Sequence, residues 1–150
     1  MDDSTDDLLD LLSLSEQGEA RFVGRGPGHA GLGLVGGHPL AQAIVSAYRS
    51  VDAQRRLHSG HGFFLRGGDG NQSISYDVES VRDGRAFCQR RVTGVQNDKQ
   101  IFDLTASFQT PETGPGVITP TPPRGAEPPE GLPTFEECMQ EVGPIFGAEW

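Results

Sequence analysis

The clearest hydrophobic pattern in the chain lies in "PLAQAIVSAYRSV", residues 39–51. Its apolar positions recur at the spacing of one helix face. Pro39 suits a first helical position because proline has no N–H to leave unpaired there. The stripe is wide and carries few charges, so we expect a helix wrapped by other elements. The stripe consists of Leu40, Ile44, Ala47, Tyr48 and Val51.

Beyond this helix the period changes from helical to alternating, which predicts strands. Asp83-Gly84 and "QNDK" at 96–99 are typical turn sequences. Four consecutive strands joined by turns favour an antiparallel meander, with the helix covering its apolar face. The predicted strands span 57–66, 73–81, 85–95 and 101–109.

The segment before the helix predicts two short elements. Residues 5–14 carry a possible Ser4 or Thr5 cap and a leucine face, which indicates a helix. Residues 19–25, "EARFVGR", predict a strand.

After Gln109 the composition changes abruptly. Eight of the 11 prolines lie between Pro111 and Pro133, which is typical of an extended linker. Thr134 and Glu137 then fit a capping box. The sequence therefore predicts a domain over 1–112, a proline-rich linker over 113–133, and a short helix or tail over 134–150.

Charge and cysteine content narrow the class of protein. The formal net charge of −9 argues against nucleic acid or an anionic membrane as the main partner, because both reward clustered Lys and Arg. The two cysteines, Cys88 and Cys138, are far apart, which favours a reduced, intracellular protein with the cytoplasm as the expected compartment. The acidic N-terminus does not fit a signal peptide. No apolar run approaches the roughly 20 residues that span a bilayer.

The glycine-rich segment "GPGHAGLGLVGGHP" contains G-x-G-x-x-G twice, at Gly26, Gly28, Gly31 and at Gly31, Gly33, Gly36. That spacing can cradle a pyrophosphate. A dinucleotide site also needs a parallel sheet, and the strands here lack crossover helices, so a nicotinamide-type oxidoreductase is disfavoured. Two alternatives remain: a flexible connection, or a backbone whose free N–H groups at Gly36 and Gly37 approach a ligand at the helix start.

The four histidines, His29, His38, His58 and His61, lie in one third of the chain, which raises a metal hypothesis. His58 and His61 are three apart, however, and a regular strand would place them on opposite faces. No thiol or carboxylate neighbours them at ligand spacing. We therefore expect no metal and no cofactor. Cys88 is interpreted as a small core residue.

The order of these elements describes a hotdog domain: an α+β fold with a curved antiparallel sheet wrapped around one long helix. Residues 7–112 also resemble the N-terminal hotdog half of the acyl-CoA thioesterase II family. The resemblance is carried by "LLDLLSL", "VGGHPLAQAI", "HSGHGFFLRGGD", "SISYDVESVRDGRAF" and "RRVTGVQNDKQIFDLTASFQ".

This resemblance implies hydrolysis of fatty acyl-CoA to a fatty acid and CoA. Family members normally carry two hotdog halves, and the catalytic Asp, Thr and Gln belong to the second. The helix at 39–51 has no Asp or Glu, so the catalytic residues are unassigned. The candidates are His38, His61 and Gln109, of which Gln109 resembles in position the Gln of the active half.

For substrate binding, we expect an apolar tunnel between sheet and helix to hold the acyl chain and a basic rim, Arg66 or Arg90, to meet the CoA phosphates. Phe63 and Phe64 are interpreted as core or as tunnel lining. The substrate-binding candidates are Gly36, Gly37, His38, Phe63, Phe64 and Arg66.

The sequence supports two functions. The first is an acyl-CoA thioesterase that needs a second hotdog unit, as a homo-oligomer or with another chain. The alternative is a non-catalytic acyl-CoA-binding or dimerisation module. A single hotdog sheet leaves an edge and a helix face to cover, so dimerisation is expected in either case.

Overall fold

The computed structural model describes residues 8–28, 33–114, 116, 119–121, 123–125 and 128–146. The chain divides into two compact units, Met1–Thr113 and Gly114–Trp150. Among the described residues, the first unit begins with a helical turn at 8–11. Its further elements are β1 (Ser15–Glu16), β2 (Arg21–Gly24), α1 (Gly37–Tyr48), β3 (Arg56–Phe64), β4 (Ile74–Asp83), β5 (Phe87–Gln96) and β6 (Lys99–Gln109).

The strands form one sheet in the order β1-β2-β4-β5-β6-β3. Every neighbouring pair is antiparallel. Helix α1 packs on one face of this sheet, against β2, β4, β5 and β6. The predicted α+β hotdog fold is confirmed.

The predicted four-strand meander is wrong in one respect. Strands β4, β5 and β6 succeed one another as a meander, but β3 pairs with β6 and forms the far edge of the sheet. The reason is the connection at residues 65–73, which is too long for a tight hairpin and crosses the end of the sheet. Gln96 fixes this connection: its Oε1 accepts from Asp69 N at 2.9 Å, and its Nε2 donates to Gln72 O at 3.0 Å.

The two predicted turns of the meander are confirmed. Asn97 and Asp98 both have positive φ, 49° and 58°, as in the two-residue turns whose twist matches that of the flanking strands. At the other turn, Gly84 N donates to Phe87 O at 2.9 Å.

The core lies between α1 and the inward face of the meander. Tyr76, Phe102 and Phe108 are its largest fully buried side chains. The helix contributes Ala43 and Ala47, both with no exposed surface. Leu40 and Ile44, two members of the predicted apolar stripe, are only partly buried. The centre of the helix face is therefore made of small residues, and its larger apolar side chains lie toward β3.

Some predicted element boundaries shift. Helix α1 starts at Gly37, two residues before Pro39, and ends at Tyr48 rather than Val51. The predicted strand at 19–25 is shorter, because Ala20 adopts a positive φ of 57° in the turn before β2. The first three residues of the predicted helix at 5–14, together with His29 and Gly31, lie outside the described residues.

The second unit holds a 3-10 turn at Pro129–Gly131 and helix α2 at Phe135–Phe146. The predicted capping box is confirmed: Thr134 N donates to Glu137 Oε2 at 2.7 Å, and Glu137 N donates to Thr134 Oγ1 at 3.3 Å. Residues 147–150 of the predicted tail lie outside the described part of the chain. None of the described helices is both long and apolar enough to cross a bilayer.

Candidate ligand site between the helix and the edge strand

An apolar cavity of about 260 Å³ separates helix α1 from strand β3. Two glycines of β3 lie along its wall, so the strand carries no inward side chain at either position. A methyl group at Gly62 would lie 2.9 Å from Phe102 Cζ, and one at Gly60 would lie 3.5 Å from Leu104 Cδ1. The cavity, named here the helix–edge cavity, is lined by Leu40, Ile44, Leu57, Gly60, Gly62, Phe64 and Leu104.

The start of α1 lies at one end of this cavity. A Cβ at Gly36 would lie 3.0 Å from Phe64 Cε1, so the helix start is in close contact with the Phe64 ring. Gly37 has open space beside it. Its N–H makes no hydrogen bond to any described residue, and it belongs to the first helical turn, where free N–H groups and the helix dipole favour an electronegative ligand atom.

His38 occupies the second helical position and is held by the chain before the glycines. Its Nε2 lies 3.0 Å from Arg25 O. Burial lowers the pKa of His38 from its usual 6.5, the hydrogen bond to Arg25 O opposes that shift, and the charge of Arg25 adds to it. The imidazole is therefore biased toward its neutral form, in which one ring nitrogen donates and the other accepts.

A second apolar cavity, of about 300 Å³, lies on the other side of the helix start. His38 and Gly37 belong to its wall, together with leucines of the helical turn at 8–11. It is lined by Leu8, Leu11, Leu12, Pro27, Gly33, Val35, Gly37, His38 and Ala41.

A buried polar network fixes the helix start to the sheet. Gln42, one turn after His38, has no exposed surface. Its Nε2 donates to Leu11 O at 2.6 Å and to Arg25 O at 3.0 Å, while its Oε1 accepts from Tyr76 Oη at 2.9 Å. Burial raises the pKa of Tyr76, so its hydroxyl stays a donor. Gly24 leaves room for this amide, because a Cβ there would overlap the Gln42 side chain.

Comparison with known proteins identifies the family to which this domain belongs. A family model described as acyl-CoA thioesterase N-terminal domain matches residues 25–109. The chain belongs to the acyl-CoA thioesterase family. The match spans β3 to β6, α1 and the glycine-rich segment, and so includes both walls of the helix–edge cavity.

Two curated relatives share this region. The chain is 38% identical over 114 residues to acyl-CoA thioesterase 2 of Haemophilus influenzae, covering 76% of this chain and 40% of that protein. It is 38% identical over 134 residues to human acyl-coenzyme A thioesterase 8, covering 87% of this chain and 41% of that protein. The chain thus spans about two fifths of the length of these relatives.

Solved structures also match this chain over about half of their own length. The acyl-CoA thioesterase II TesB2 from Mycobacterium marinum superposes with a TM-score of 0.74 at 37% identity, covering 87% of this chain and 47% of that one. A hot dog fold protein from Alicyclobacillus acidocaldarius, at 20% identity and a TM-score of 0.72, shows the fold alone.

The two phenylalanines of the segment "HSGHGFFLRGGD" point to opposite faces of the sheet. Phe64 faces the helix–edge cavity and packs on Phe102 at a ring-centre distance of 5.0 Å. Phe63 lies on the outer face beside His61, at 4.5 Å. Arg66 is exposed just beyond β3, where its Nη1 donates to Gln100 O at 2.6 Å.

The prediction that His58 and His61 lie on opposite faces is wrong. A β-bulge between Leu57 and Ser59 shifts the alternation of β3 by one residue. His58 Nε2 therefore reaches Ser107 Oγ at 2.8 Å, and His61 lies opposite Thr105, on the same outer face. Among the described residues, no group of three or more His, Cys, Asp or Glu side chains is placed to hold a metal ion.

Arg90, expected at an exposed rim, is only 3% exposed. Its guanidinium donates to Ser50 O, to Ser50 Oγ and to Asp83 Oδ1, at 3.0, 3.0 and 2.7 Å. It therefore ties the end of α1 to the β4–β5 turn. Cys88, interpreted as a core residue, is confirmed there at 1% exposure.

Gln109 lies at the opposite end of the sheet from His38. The helix start contacts Phe64, which is opposite Phe102 on β6, whereas Gln109 is opposite Arg56. Gln109 lies seven positions after Phe102 along β6, roughly 23 Å away at the usual rise. Within one unit these two candidates therefore do not meet, and His61 is separated from both cavities by the sheet.

Sequence reasoning missed Gln42 and Tyr76 as site-building residues. The alternation of β4 places Tyr76 correctly on the buried face of its strand but does not identify its partner. The sequence does carry one signal for this network. Gln42 lies on the helix beside the apolar stripe and Ser46 follows one turn later, and both are fully buried in the structure.

Proposed function

We propose that this chain binds fatty acyl-CoA and forms one half of an acyl-CoA thioesterase whose active site is completed by a second hotdog unit. The relatives that share its fold are named for acyl-CoA thioester hydrolysis. In that reaction water attacks the thioester carbonyl, the new C–O bond replaces the C–S bond, and CoA leaves as the thiol after taking a proton.

The helix–edge cavity is the proposed acyl site. Its lining is apolar, and Gly60 and Gly62 place bare backbone along it beside Leu104, so a hydrocarbon chain would meet no polar side chain there. Gly37 and His38 line the second cavity rather than this one. The thioester of a bound acyl-CoA would therefore lie past Phe64 at the helix start, where the Gly37 N–H can polarise its carbonyl oxygen. Neutral His38 can donate or accept a proton there, and Arg66 beyond β3 is a candidate partner for CoA phosphates.

The observation that carries this proposal is the unfinished edge of the sheet at β3. Three consecutive apolar side chains at the end of this strand are exposed: Phe63 is 56% exposed, Phe64 59% and Leu65 45%. Among the described residues, β3 has a sheet neighbour on one side only, so a second hotdog unit can continue the sheet there and cover the helix–edge cavity.

Pairing of two such edges about a two-fold axis makes the strands antiparallel. The Phe64 end of one β3 then lies beside the Arg56 end of the other. The start of one helix is thereby brought toward the partner's Gln109, which a single unit holds at the far end of its own sheet. A complete set of polar groups around the thioester therefore requires two units.

A non-catalytic acyl-CoA-binding or dimerisation module is the second candidate. One observation favours it: α1 reads "GHPLAQAIVSAY" and has no carboxylate to act as a general base. In this case catalysis would depend entirely on residues of the second unit. A cytoplasmic location remains part of either proposal.

Release of free thiol from medium- and long-chain acyl-CoA by the purified chain tests the proposal, with its mass in solution measured on the same sample. We expect an assembly of more than one unit that releases CoA. His38→Ala and Gln109→Ala should each lower kcat/KM by about tenfold or more, whereas Gln89→Ala, the matched glutamine on β5, should leave it unchanged.

Retained acyl-CoA binding without turnover would select the module over the enzyme. Neither binding nor turnover, in a chain that is folded and paired, would refute both the enzyme and the acyl-CoA-binding module and would leave a dimerisation module alone.

A further inference from the structure

Five arginines gather at the end of the first unit where α1 ends and β3 begins. They are Arg55 and Arg56 before and at the start of β3, and Arg82, Arg85 and Arg90 around the β4–β5 turn. We call this group the arginine cluster. It holds five of the chain's 12 basic residues, although the formal net charge of the chain is −9.

Contacts between these residues show that the cluster is built around one turn. Arg55 Nη2 donates to Gly84 O at 2.7 Å, and Arg90 Nη1 donates to Arg82 O at 3.3 Å. Arg90 also forms an ion pair with Asp83. The side chains of Arg55 and Arg90 therefore hold the turn that carries Arg82 and Arg85 in place.

The remaining positive charge of the cluster is not neutralised by the described residues. Arg55, Arg56, Arg82 and Arg85 have no carboxylate within ion-pair distance there, and the nearby Asp52 accepts from Gln54 N. Arg56, Arg82 and Arg85 are exposed. Arg55 Nη1, beneath them, is buried with no acceptor in the described part of the chain.

The arginine cluster lies at the end of the edge strand where β3 begins, beside the end of α1. Leu57 N donates to Tyr48 Oη at 3.0 Å, so the end of α1 lies beside the beginning of β3. The start of α1 lies beside the other end of β3, through the contact of Gly36 with Phe64. In an antiparallel pair of β3 strands, each arginine cluster therefore lies on the side of the partner's helix start.

From this placement we propose that the arginine cluster is a phosphate-binding surface that takes the phosphate groups of CoA while the acyl thioester lies at the helix start of the paired unit. This inference rests on the proposed function, from which it takes both the CoA ligand and the paired unit. Guanidinium groups bind phosphate oxygens through paired, charge-assisted hydrogen bonds. The unit that supplies the cluster thus contributes to the affinity of its partner's site.

Equilibrium binding of CoA, 3′-dephospho-CoA, pantetheine and inorganic phosphate to the full chain tests this inference. The test variant is the double substitution Arg56→Gln and Arg85→Gln, which spares the structural Arg55 and Arg90. The double substitution Lys99→Gln and Arg124→Gln is the matched control, since it removes the same charge from two exposed basic residues outside the cluster.

We expect the test variant to raise the Kd for CoA by about tenfold or more, with a smaller loss for 3′-dephospho-CoA and no change for pantetheine. The control variant should keep an affinity for CoA close to that of the wild type.

Equal losses in the test and control variants would overturn the inference, because they would assign the effect to net charge. Binding of inorganic phosphate as tight as that of CoA would overturn the assignment to CoA. If wild-type affinity for CoA persists in the test variant and thiol release continues, the inference fails while the proposed function stands. If the wild-type chain binds neither CoA nor acyl-CoA, the proposed function fails first.

Discussion

Gln42 joins three parts of the chain through one buried amide. It bonds to Leu11 O in the first helical turn, to Arg25 O after β2, and to Tyr76 Oη on β4. A buried donor or acceptor that loses its partner costs more than the hydrogen bond itself contributed, because water cannot replace the partner. The fixed position of the helix start therefore depends on this side chain.

Replacing Gln42 with leucine should destabilise the protein although leucine is the more apolar residue. Leu11 O and Tyr76 Oη would lose this partner, and Arg25 O would retain its contact with His38 Nε2, so we expect the free energy of unfolding to fall by about 2 kcal/mol or more. Urea unfolding measures this. Tyr76→Phe should cost less, and the double substitution less than the sum of the two, because the two residues share one hydrogen bond. A Gln42→Leu variant as stable as the wild type would contradict the network.

His38 gives the stability a dependence on pH. Burial lowers its pKa from the usual 6.5, so as the pH falls the unfolded chain takes up the proton before the folded chain does. The stability that His38 contributes is thus present above pH 6.5 and is lost as the pH falls through the folded pKa.

His38→Gln should remove this titration while keeping a side chain that can bond to Arg25 O. Between about pH 7.5 and pH 5, we expect the free energy of unfolding of the wild type to fall more steeply than that of His38→Gln. Parallel pH profiles for the wild type and His38→Gln would show that His38 does not titrate differently in the two states.

At the scale of elements, local patterns identified every strand of the meander and helix α1, because alternation and helical spacing report one buried face each. Such patterns could not predict that β3 pairs with β6. Its neighbour depends on where residues 65–73 lead the chain, and that is decided by the Gln96 contacts with Asp69 and Gln72.

The bulge in β3 shows the same limit within one element. Alternation assumes a regular strand, and one extra residue at His58 inverts the alternation between the two parts of the strand on either side of it. For the site, the sequence pointed to Gly36, Gly37 and His38 at the helix start, which lie together. The sequence could not show that Phe63 lies outside the cavity, or that Gln109 lies at the far end of the sheet.

The whole molecule leaves exposed the surfaces that a second unit would bury. Leu40 and Ile44 are only partly buried, Tyr48 is 38% exposed, and the outer edge of β3 has no neighbouring strand in the described chain. An exposed edge strand with apolar neighbours is a ready template for pairing. The same features that define the helix–edge cavity therefore favour assembly.

A charge on β3 should separate the paired units. In Phe63→Lys, a lysine replaces a ring that is 56% exposed on the outer face of the edge strand, and pairing would bury part of its charged side chain against the partner strand. We expect the dissociation constant of the pair to rise by about tenfold or more, measured by light scattering of the eluted chain over a range of concentrations. Val81→Lys, at a position 50% exposed on β4, is the matched control and should leave the pair intact. If both variants pair as the wild type does, or both separate, β3 is not the contact that holds the units together.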